Sequence, residues 1–215
     1  MKKKSAKNKI KSNRNNNIIT TTNNNTEEKV KEKACAPEIE AYLNLPAFLT
    51  IVSSAVEVFK KETIGYLVGI KGENKFIVEY AIPYQTAESG FAHVTIDFKK
   101  ADRINAILSQ LSEGLEYIGE FHSHTVFGDS PAKIIPSRED LVTTVIGELN
   151  IICAVNTKKK SVKWYEDKRG ALVGTVGDYR IEIGGYYVAK LEIGRKYQRI
   201  KIKCPAITGI AGKAT

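Results

Sequence analysis

Two of the chain's three histidines, His122 and His124, are separated by one residue in the stretch GEFHSHTVFGDSPAKIIPSREDL (119–141). If this stretch begins as a strand, both imidazoles point to the same side and could share a metal ion. Farther along, Ser137 and Asp140 form a Ser-x-x-Asp pattern, so that a carboxylate could complete a His-His-Asp ligand set for Zn²⁺. Such a set leaves a fourth position for a water molecule, which zinc turns into a better nucleophile.

A plainer interpretation of the same residues remains open on the pattern alone. A His-x-His pair can also belong to a buried strand that binds no metal. Ser-x-x-Asp is also the pattern of a capping box, in which Ser137 and Asp140 satisfy backbone N–H groups at the start of a helix. The pattern therefore predicts either a metal site or a strand followed by a capped helix.

The elements that would position these residues follow from the spacing of the apolar side chains. Helices are predicted over 47–60, 99–112 and 137–148, and strands over 63–70, 74–82, 115–124 and 150–156. Lys71-Gly72-Glu73 is a hairpin signal between the first two strands. From residue 161 onward, short β-rich pieces follow: SVKWYE, YRIEI, YYVAKLEI and YQRIKIK. Strands interleaved with two or three helices predict an α/β fold, with a mixed β-sheet sandwiched by helices.

The positive charge of the chain is concentrated at its N-terminus. Residues 1–34 contain ten Lys or Arg and three Glu, a net charge of +7 out of the +9 of the whole chain. This segment is rich in Lys, Asn and Thr and poor in apolar residues, so we predict a disordered tail over 1–36 and one folded domain over 37–215. Because the rest of the chain is nearly neutral, we do not expect nucleic acid as a substrate, apart from weak contacts through the basic tail.

The overall composition is that of a soluble globular protein, with 42% hydrophobic and 27% charged residues. No apolar stretch is long enough to span a membrane, and no apolar region follows the initial MKKK as in a secretory signal. Cys35, Cys153 and Cys204 are odd in number and contain no Cys-x-x-Cys pair, which argues against a disulfide framework or a zinc ribbon. We therefore expect a cytoplasmic protein.

Taken together, the motifs resemble the JAMM metalloprotease motif of MPN-domain proteins. Residues 119–124 (GEFHSH) are similar to the family's Gly-x-x-His-Ser-His strand end, and residues 136–141 (PSREDL) to its Pro-Ser-x-x-Asp-Leu helix start. Upstream, residues 62–69 (ETIGYLVG) are similar to the family's Glu-x-x-Gly-x-Leu-x-Gly. The resemblance covers roughly residues 40–165, with a β-rich part (161–203) after it, and implies an MPN fold of the cytidine-deaminase-like kind.

The resemblance also implies a role for each motif residue. His122, His124 and Asp140 would be the zinc ligands. Glu62 would deprotonate the zinc-bound water and pass the proton to the departing lysine amine. Ser137 would donate a hydrogen bond to the oxyanion of the tetrahedral intermediate. The implied function is that of a zinc metallopeptidase of the deubiquitinase type, which hydrolyses isopeptide or peptide bonds after the C-terminus of ubiquitin or a ubiquitin-like protein. The tail of that substrate is expected to lie as an extended strand beside the sheet.

The chain departs from the family pattern between the second histidine and the serine. Twelve residues (125–136) fill this interval, more than the family usually has, and Thr125 stands where the family usually has proline. The loop from Thr125 to Pro136 is a candidate substrate-contacting flap, with a mobile surface loop as the alternative. No other Ser-x-x-Asp precedes Asp140 in this interval, so Asp140 remains the expected third ligand.

Two alternative functions stay open. One is a non-catalytic MPN scaffold in a protein complex. The other is a JAMM hydrolase with a different target, such as a small peptide substrate, or a relative of the RadC-like group associated with DNA repair.

Four further positions have a plainer interpretation. Glu120 shares the strand face of the histidines and is interpreted as a solvent-facing carboxylate, although a surrogate ligand or base is the alternative. His93 has no partner nearby in sequence and is interpreted as structural or surface, and Cys153 as a core residue. Residues 186–187 (YY) are interpreted as packing, with a partner surface as the alternative.

Overall fold

The structure is a computed structural model, in which we describe residues 38–84, 88–89, 94–95, 98–111, 114–190 and 195–209. The predicted tail 1–36, its boundary with the folded domain, His93 and Cys35 lie outside these residues. No helix in the described ranges is long and apolar enough to cross a membrane.

Strands outnumber helices in the described part of the chain. The strands are β1 (Glu40–Leu43), β2 (Ile64–Lys71), β3 (Lys75–Pro83), β4 (Glu88–Ser89), β5 (Val94–Thr95), β6 (Glu116–His124), β7 (Leu149–Thr157), β8 (Tyr165–Glu166), β9 (Leu172–Val176), β10 (Tyr179–Lys190) and β11 (Arg195–Lys203). The helices are α1 (Leu45–Glu57), α2 (Phe98–Leu111), α3 (Arg138–Thr143) and α4 (Pro205–Thr208).

Helix α1 follows the apolar stripe that the sequence predicts over 47–60. Pro46 lies in its first turn, where a missing N–H has no cost. Phe48, Ile51 and Val52 are buried against the sheet, and burial of such side chains stabilises the fold by roughly 1.5–3 kcal/mol each. The helix ends at Glu57, three residues earlier than predicted.

The hairpin of β2 and β3 is confirmed. The two strands pair antiparallel along their whole length, and the Gly72 N–H donates to the Lys75 carbonyl at 2.8 Å in the turn. The hairpin matters for the site because β2 begins two residues after Glu62 and also pairs antiparallel with β6.

A glycine in β6 decides which residues of this strand face the core. Gly119 has a φ of +151°, and a Cβ there would lie 1.8 Å from the Leu149 carbonyl oxygen, so no other residue fits. Ile118 and Phe121 are three positions apart yet both face the core, because the pairing with β2 shifts at this point. Glu120 and both histidines therefore lie on the opposite face.

The sheet closes on itself. Its strand order is β11-β1-β3-β2-β6-β7-β10, and β10 also pairs with β11, so seven strands form a closed, barrel-like ring from which β9 and β8 extend. The pairs β1–β11, β1–β3 and β6–β7 are parallel and the other pairs are antiparallel. The predicted mixed sheet is confirmed, and Cys153 on β7 lies in its core, as expected.

The sequence predicts a sheet sandwiched by helices, and among the described residues helices pack on both faces only around β2. Leu67 of β2 packs in the core that contains α1, whereas the adjacent Tyr66 packs on the other face near Ile104 of α2. Elsewhere the sheet encloses the core by curving rather than by a second helical layer. The fold is thus a sheet-dominated α/β fold and not an even sandwich.

The helix predicted over 137–148 is much shorter than expected and is not buried. Helix α3 spans only Arg138–Thr143 and contains no buried residue; Val142 is 71% exposed. The chain leaves the helix at Thr144, which is extended, and turns into β7 through Gly147 with a φ of +89°. β-Branched residues fill this segment and disfavour a longer helix.

The pieces YRIEI and YYVAKLEI, predicted as separate strands, belong to the single strand β10. Gly184 and Gly185 lie at its centre without interrupting it. A Cβ on Gly185 would lie 2.4 Å from the Ile202 side chain, and one on Gly184 would lie 3.0 Å from Ile134. Here glycine marks close packing and not a turn.

Candidate metal centre

The two histidines lie at the C-terminal end of β6 and present their rings on one side, as the i, i+2 spacing predicts. Their Nε2 atoms are 3.2 Å apart. His122 is buried, with 7% of its surface exposed, and His124 is half-buried. Two imidazole nitrogens therefore face one small volume at the end of the strand.

Asp140 of α3 completes the group. Its Oδ1 lies 3.5 Å from Nε2 of His122, and its Oδ2 lies 3.4 Å from Nε2 of His124. One donor atom from each of the three residues lies within 4.8 Å of the donor atoms of the other two. The longer loop has not displaced Asp140 from the position that the motif predicts for it.

Ser137 and Asp140 also form the capping box that the sequence left open as an alternative. The Ser137 N–H donates to Oδ2 of Asp140 at 2.6 Å, and the Asp140 N–H donates to Oγ of Ser137 at 3.1 Å. The two interpretations are therefore compatible, because the cap itself orients the carboxylate toward the histidines. The Ser137 hydroxyl accepts in this cap and keeps its own O–H as a donor.

A backbone carbonyl determines which ring nitrogen of His124 is available to a metal. Nδ1 of His124 lies 2.7 Å from the Lys133 carbonyl oxygen, which can only accept, so Nδ1 carries the proton. The lone pair of the neutral ring is then on Nε2, the atom that faces Asp140 and His122. Two imidazoles and a carboxylate with this arrangement fit a divalent transition metal.

The charges in the cluster stabilise one another. Burial would raise the pKa of Asp140, but its contacts with the imidazoles of His122 and His124 and the hydrogen bond from the Ser137 N–H outweigh burial and hold this pKa well below its usual range. Burial would lower the pKa of His124, but Asp140, the Lys133 carbonyl and the charge of Glu62 together raise it. The site therefore favours an ionised carboxylate, the form that binds a metal.

Glu62 is held next to this cluster by its neighbour in sequence. The Thr63 N–H donates to Oγ of Ser123 at 2.9 Å, and the Ser123 N–H donates to the Thr63 carbonyl at 2.8 Å. Ser123 lies between the two histidines and is 1% exposed, so this pair of bonds is shielded from water. The half-buried Glu62 acts electrostatically on His124, and its catalytic role stays a prediction.

Glu120 does not join the metal ligands, and its interpretation as a solvent-facing carboxylate is wrong. It is half-buried and pairs across the sheet with Tyr66. Burial, with a smaller contribution from the charge of Glu148, raises the pKa of Glu120 to about 7. The shift of register at Gly119 turns this side chain toward the sheet face that α2 covers.

The loop over 125–136 has two parts with different surroundings. Its tip is a tight turn in which Phe127 and Ser130 exchange backbone hydrogen bonds of 3.1 and 3.0 Å, and the Phe127 side chain is 70% exposed. Its second half is anchored, since Ala132 and Ile134 are buried. The alternative of a mobile surface loop does not describe this second half, and substrate contact through the tip stays a prediction.

A pocket of about 290 Å³ lies where the end of α1, the start of the long loop and the end of β7 meet, and none of the three candidate ligands lines it. Its walls are formed by residues that adjoin Glu62 and His124 in sequence, together with the end of β7; they are Phe59, Lys60, Thr125, Val126 and Thr157. The pocket is half-open and mixes apolar and polar surface.

Sequence reasoning missed two side chains that support the site. Asn156, at the end of β7, exchanges hydrogen bonds with the backbone of Ala132, and the Tyr186 hydroxyl donates to the carbonyl of Ile134. A polar residue in the apolar strand NIICAVN was a signal for the first. Tyr186 is 8% exposed, so the alternative of a partner surface does not apply to it, and the sequence contained no sign of its long-range contact.

Comparisons with known proteins identify the domain family and a similar fold. Residues 45–165 match the family model described as prokaryotic homologs of the JAB domain. The solution structure of protein DSY2949 from Desulfitobacterium hafniense is similar to this chain with a TM-score of 0.51 and 15% sequence identity, covering 76% of this chain and 92% of the other. At that identity the likeness concerns the fold alone. No curated protein matches the sequence.

Proposed function

Because the chain belongs to the family of prokaryotic JAB-domain homologues, we propose that it is a zinc-dependent metallopeptidase that cleaves the isopeptide or peptide bond after the C-terminus of a ubiquitin-like protein. The observation that supports it best is the His122, His124 and Asp140 cluster, with donor atoms within 4.8 Å of one another. The family match supports the class of domain. The metal, the reaction, the substrate and a cytoplasmic location are our proposal.

Zinc is the metal we propose because of the type and number of the donors. Two imidazole nitrogens and one carboxylate are a common ligand set of catalytic zinc sites, which keep a further position open. When bound, zinc supplies Lewis acidity that lowers the pKa of a water molecule and polarises a carbonyl group. His122, His124 and Asp140 would hold the ion, and the Lys133 carbonyl would keep Nε2 of His124 directed toward it.

We assign proton transfer to Glu62. As the water oxygen forms its bond to the scissile carbonyl carbon, the Glu62 carboxylate accepts the proton that the water loses. The same carboxyl group then donates a proton to the nitrogen of the departing amine as the C–N bond breaks. The hydrogen bonds between Thr63 and Ser123 keep the backbone of Glu62 in place for both transfers.

We assign oxyanion stabilisation to Ser137. Its hydroxyl oxygen accepts a hydrogen bond from the Asp140 N–H. The hydroxyl hydrogen can therefore still be donated toward the substrate. A donor of this kind stabilises the negative charge that develops on the carbonyl oxygen. The same residue thus caps α3 and faces the reacting group.

The expected position of the substrate changes with the observed topology. Strands β2, β6 and β7, which surround the site, are paired on both edges, so a substrate strand cannot add to them. The pocket formed by residues that include Lys60, Thr125 and Val126 is the alternative that we propose for the extended C-terminal tail of the substrate. The exposed Phe127 would lie at its rim as part of the loop tip.

Metal analysis and a cleavage assay test this proposal. We expect about one zinc per chain and hydrolysis of fusions that carry a ubiquitin-like protein at the N-terminal side of the cut bond. Glu62→Gln should keep the zinc and lose roughly 10²–10⁴-fold in kcat/KM, the usual contribution of a positioned acid–base group. Glu57→Gln, an exposed glutamate at the end of α1, is the matched control and should behave as wild type.

Two results would contradict the proposal. Full activity in Glu62→Gln would exclude the proton-transfer role of this residue. Stoichiometric zinc without cleavage of any such fusion, together with a stable protein partner, would favour the non-catalytic scaffold.

A further inference from the structure

We propose that Asn156, Tyr186 and Tyr197 are positioning residues of the metal centre, which fix the backbone of the two segments that present Lys133 and Asp140 to the histidines. The inference rests on the proposed function, since it concerns the same metal site. None of the three side chains touches the cluster itself. They act through the carbonyl that binds His124 and through the helix that carries the carboxylate.

Asn156 anchors the loop on one side of Lys133. Its Oδ1 accepts from the Ala132 N–H at 2.9 Å, and its Nδ2 donates to the Ala132 carbonyl at 3.0 Å. An amide side chain that satisfies both backbone groups of one residue fixes that residue in position and direction. Ala132 directly precedes Lys133, so the Asn156 side chain restrains the peptide group between these two residues.

Tyr186 anchors the loop on the other side. Its hydroxyl donates to the carbonyl of Ile134, and the Ile134 side chain is 3% exposed among buried residues of β7 and β9. Lys133 therefore lies between two anchored neighbours, and its carbonyl is directed at Nδ1 of His124, 2.7 Å away. The anchors explain how an overlong loop can still place one carbonyl accurately.

Tyr197 anchors the helix that carries Asp140. Its hydroxyl donates to the carbonyl of Leu141, the residue after the carboxylate ligand. Helix α3 has six residues and none is buried, so core packing does little to hold it. Its position depends instead on hydrogen bonds such as the capping box, the bond from Thr144 Oγ1 to the Asp140 carbonyl, and the bond from Tyr197.

The two tyrosines come from one face of the β10–β11 pair. Tyr186 lies opposite Arg199, and Tyr197 lies opposite Val188, so both hydroxyls leave the same side of these strands. The other side of the pair carries Ile200 and Ile202 in the main core. Both strands lie beyond the family match at 45–165, so a part of the chain outside the matched domain completes the metal centre.

Zinc affinity tests the inference without using the activity of the loaded protein. We expect the zinc dissociation constant, measured by competition with a chromophoric chelator, to rise about tenfold or more in Tyr186→Phe, Asn156→Ser and Tyr197→Phe, within the 10–100-fold range typical of outer-shell partners. Tyr187→Phe is the control, because its ring packs near Phe76 on the opposite face of the same strand, and its affinity should stay within about twofold of wild type.

The tautomer of His124 separates positioning from a general loss of structure. In the metal-free protein at pH 9, ¹⁵N chemical shifts of its ring should show the proton on Nδ1 in wild type, Tyr187→Phe and Tyr197→Phe. In Tyr186→Phe and Asn156→Ser a larger fraction should carry the proton on Nε2. If Tyr186→Phe does not fold, Asn156→Ser tests the same loop and Tyr197→Phe tests α3.

Wild-type zinc affinity in all folded variants, or an unchanged tautomer in both loop variants, would overturn the inference. A wild-type protein that takes up no zinc would contradict the proposed function instead. In that case the tautomer measurement alone still decides whether Tyr186 and Asn156 position His124.

Discussion

Asp140 and Glu120 are carboxylates that lie near the same outward face of β6, and their surroundings differ. Asp140 faces two imidazoles and the Ser137 N–H, which outweigh the effect of burial and lower its pKa. Glu120 faces Tyr66 across the sheet, and burial together with the charge of Glu148 raises its pKa to about 7. Burial alone does not decide the charge of a carboxylate, because hydrogen bonds and neighbouring charges can outweigh it.

The difference has a chemical meaning. The cluster around Asp140 keeps an anionic carboxylate beside two imidazoles, the donor types of a metal ligand set. The cluster around Glu120 contains phenol groups and a second carboxylate, and the Tyr117 hydroxyl donates to Glu148 at 2.9 Å. Burial also raises the pKa of Tyr66 to about 12, so this region favours neutral groups. Mutations in each region test whether the two carboxylates differ in this way.

Loss of the Asp140 carboxylate should have the largest effect. Zinc sites with four ligands have apparent binding free energies of about 10–16 kcal/mol, so one ligand corresponds to a loss on the order of 10²–10³-fold in affinity. We expect Asp140→Ala to lose zinc and all cleavage, whereas Glu120→Ala should retain stoichiometric zinc. Metal content after gel filtration measures both. Undiminished zinc in Asp140→Ala would show that the third ligand is another residue.

Ser137→Ala should have a smaller effect on binding and a clear effect on the rate. Removal of an oxyanion donor costs on the order of 10²–10³-fold in kcat. The lost helix cap should also lower the free energy of unfolding by roughly 0.5–2 kcal/mol. Ser137→Thr keeps a hydroxyl that can cap the helix and serves as the control. Equal kcat for the alanine variant and wild type would exclude the oxyanion role.

Glu120→Gln should have the smallest effect and should change stability alone. The pKa of Glu120 rises from 4.5 to about 7 on folding, so this group weakens the folded state as the pH rises from about 4.5 through 7. Glutamine does not ionise, so the variant should match wild type near pH 4 and exceed its stability at pH 8 by up to about 3 kcal/mol.

Urea unfolding at the two pH values measures this difference. Glu116→Gln, at an exposed position of the same strand, is the control and should show the pH dependence of wild type. The same pH dependence in Glu120→Gln as in wild type would mean that the two carboxylate regions do not differ as described.

The sequence was sufficient for those features that depend on local spacing. The same-side placement of His122 and His124 follows from strand geometry, and α1 and the β2–β3 hairpin follow from apolar periodicity and from Gly72. The capping box at Ser137 is also local. Each of these features involves residues within a few positions of one another, where backbone geometry determines what lies next to what.

The features that the sequence did not reveal depend on contacts between distant segments. The reversal of sides at Gly119 requires the approach of β7, and the anchoring of Ile134 by Tyr186 joins residues 52 positions apart. The short α3 reflects the turn into β7 through Gly147, which outweighs the apolar pattern of that segment. Local sequence patterns do not indicate which distant segments come into contact.

The closure of the ring has a consequence for folding kinetics. Glu40 of β1 pairs with Lys201 of β11, and such distant parallel contacts form slowly because the intervening chain must first be ordered. Until β11 arrives, β1 and the second half of β10 have unpaired backbone edges, to which another chain can add. The strand that supplies Tyr197 therefore also covers both of these edges once it has paired with β1 and β10.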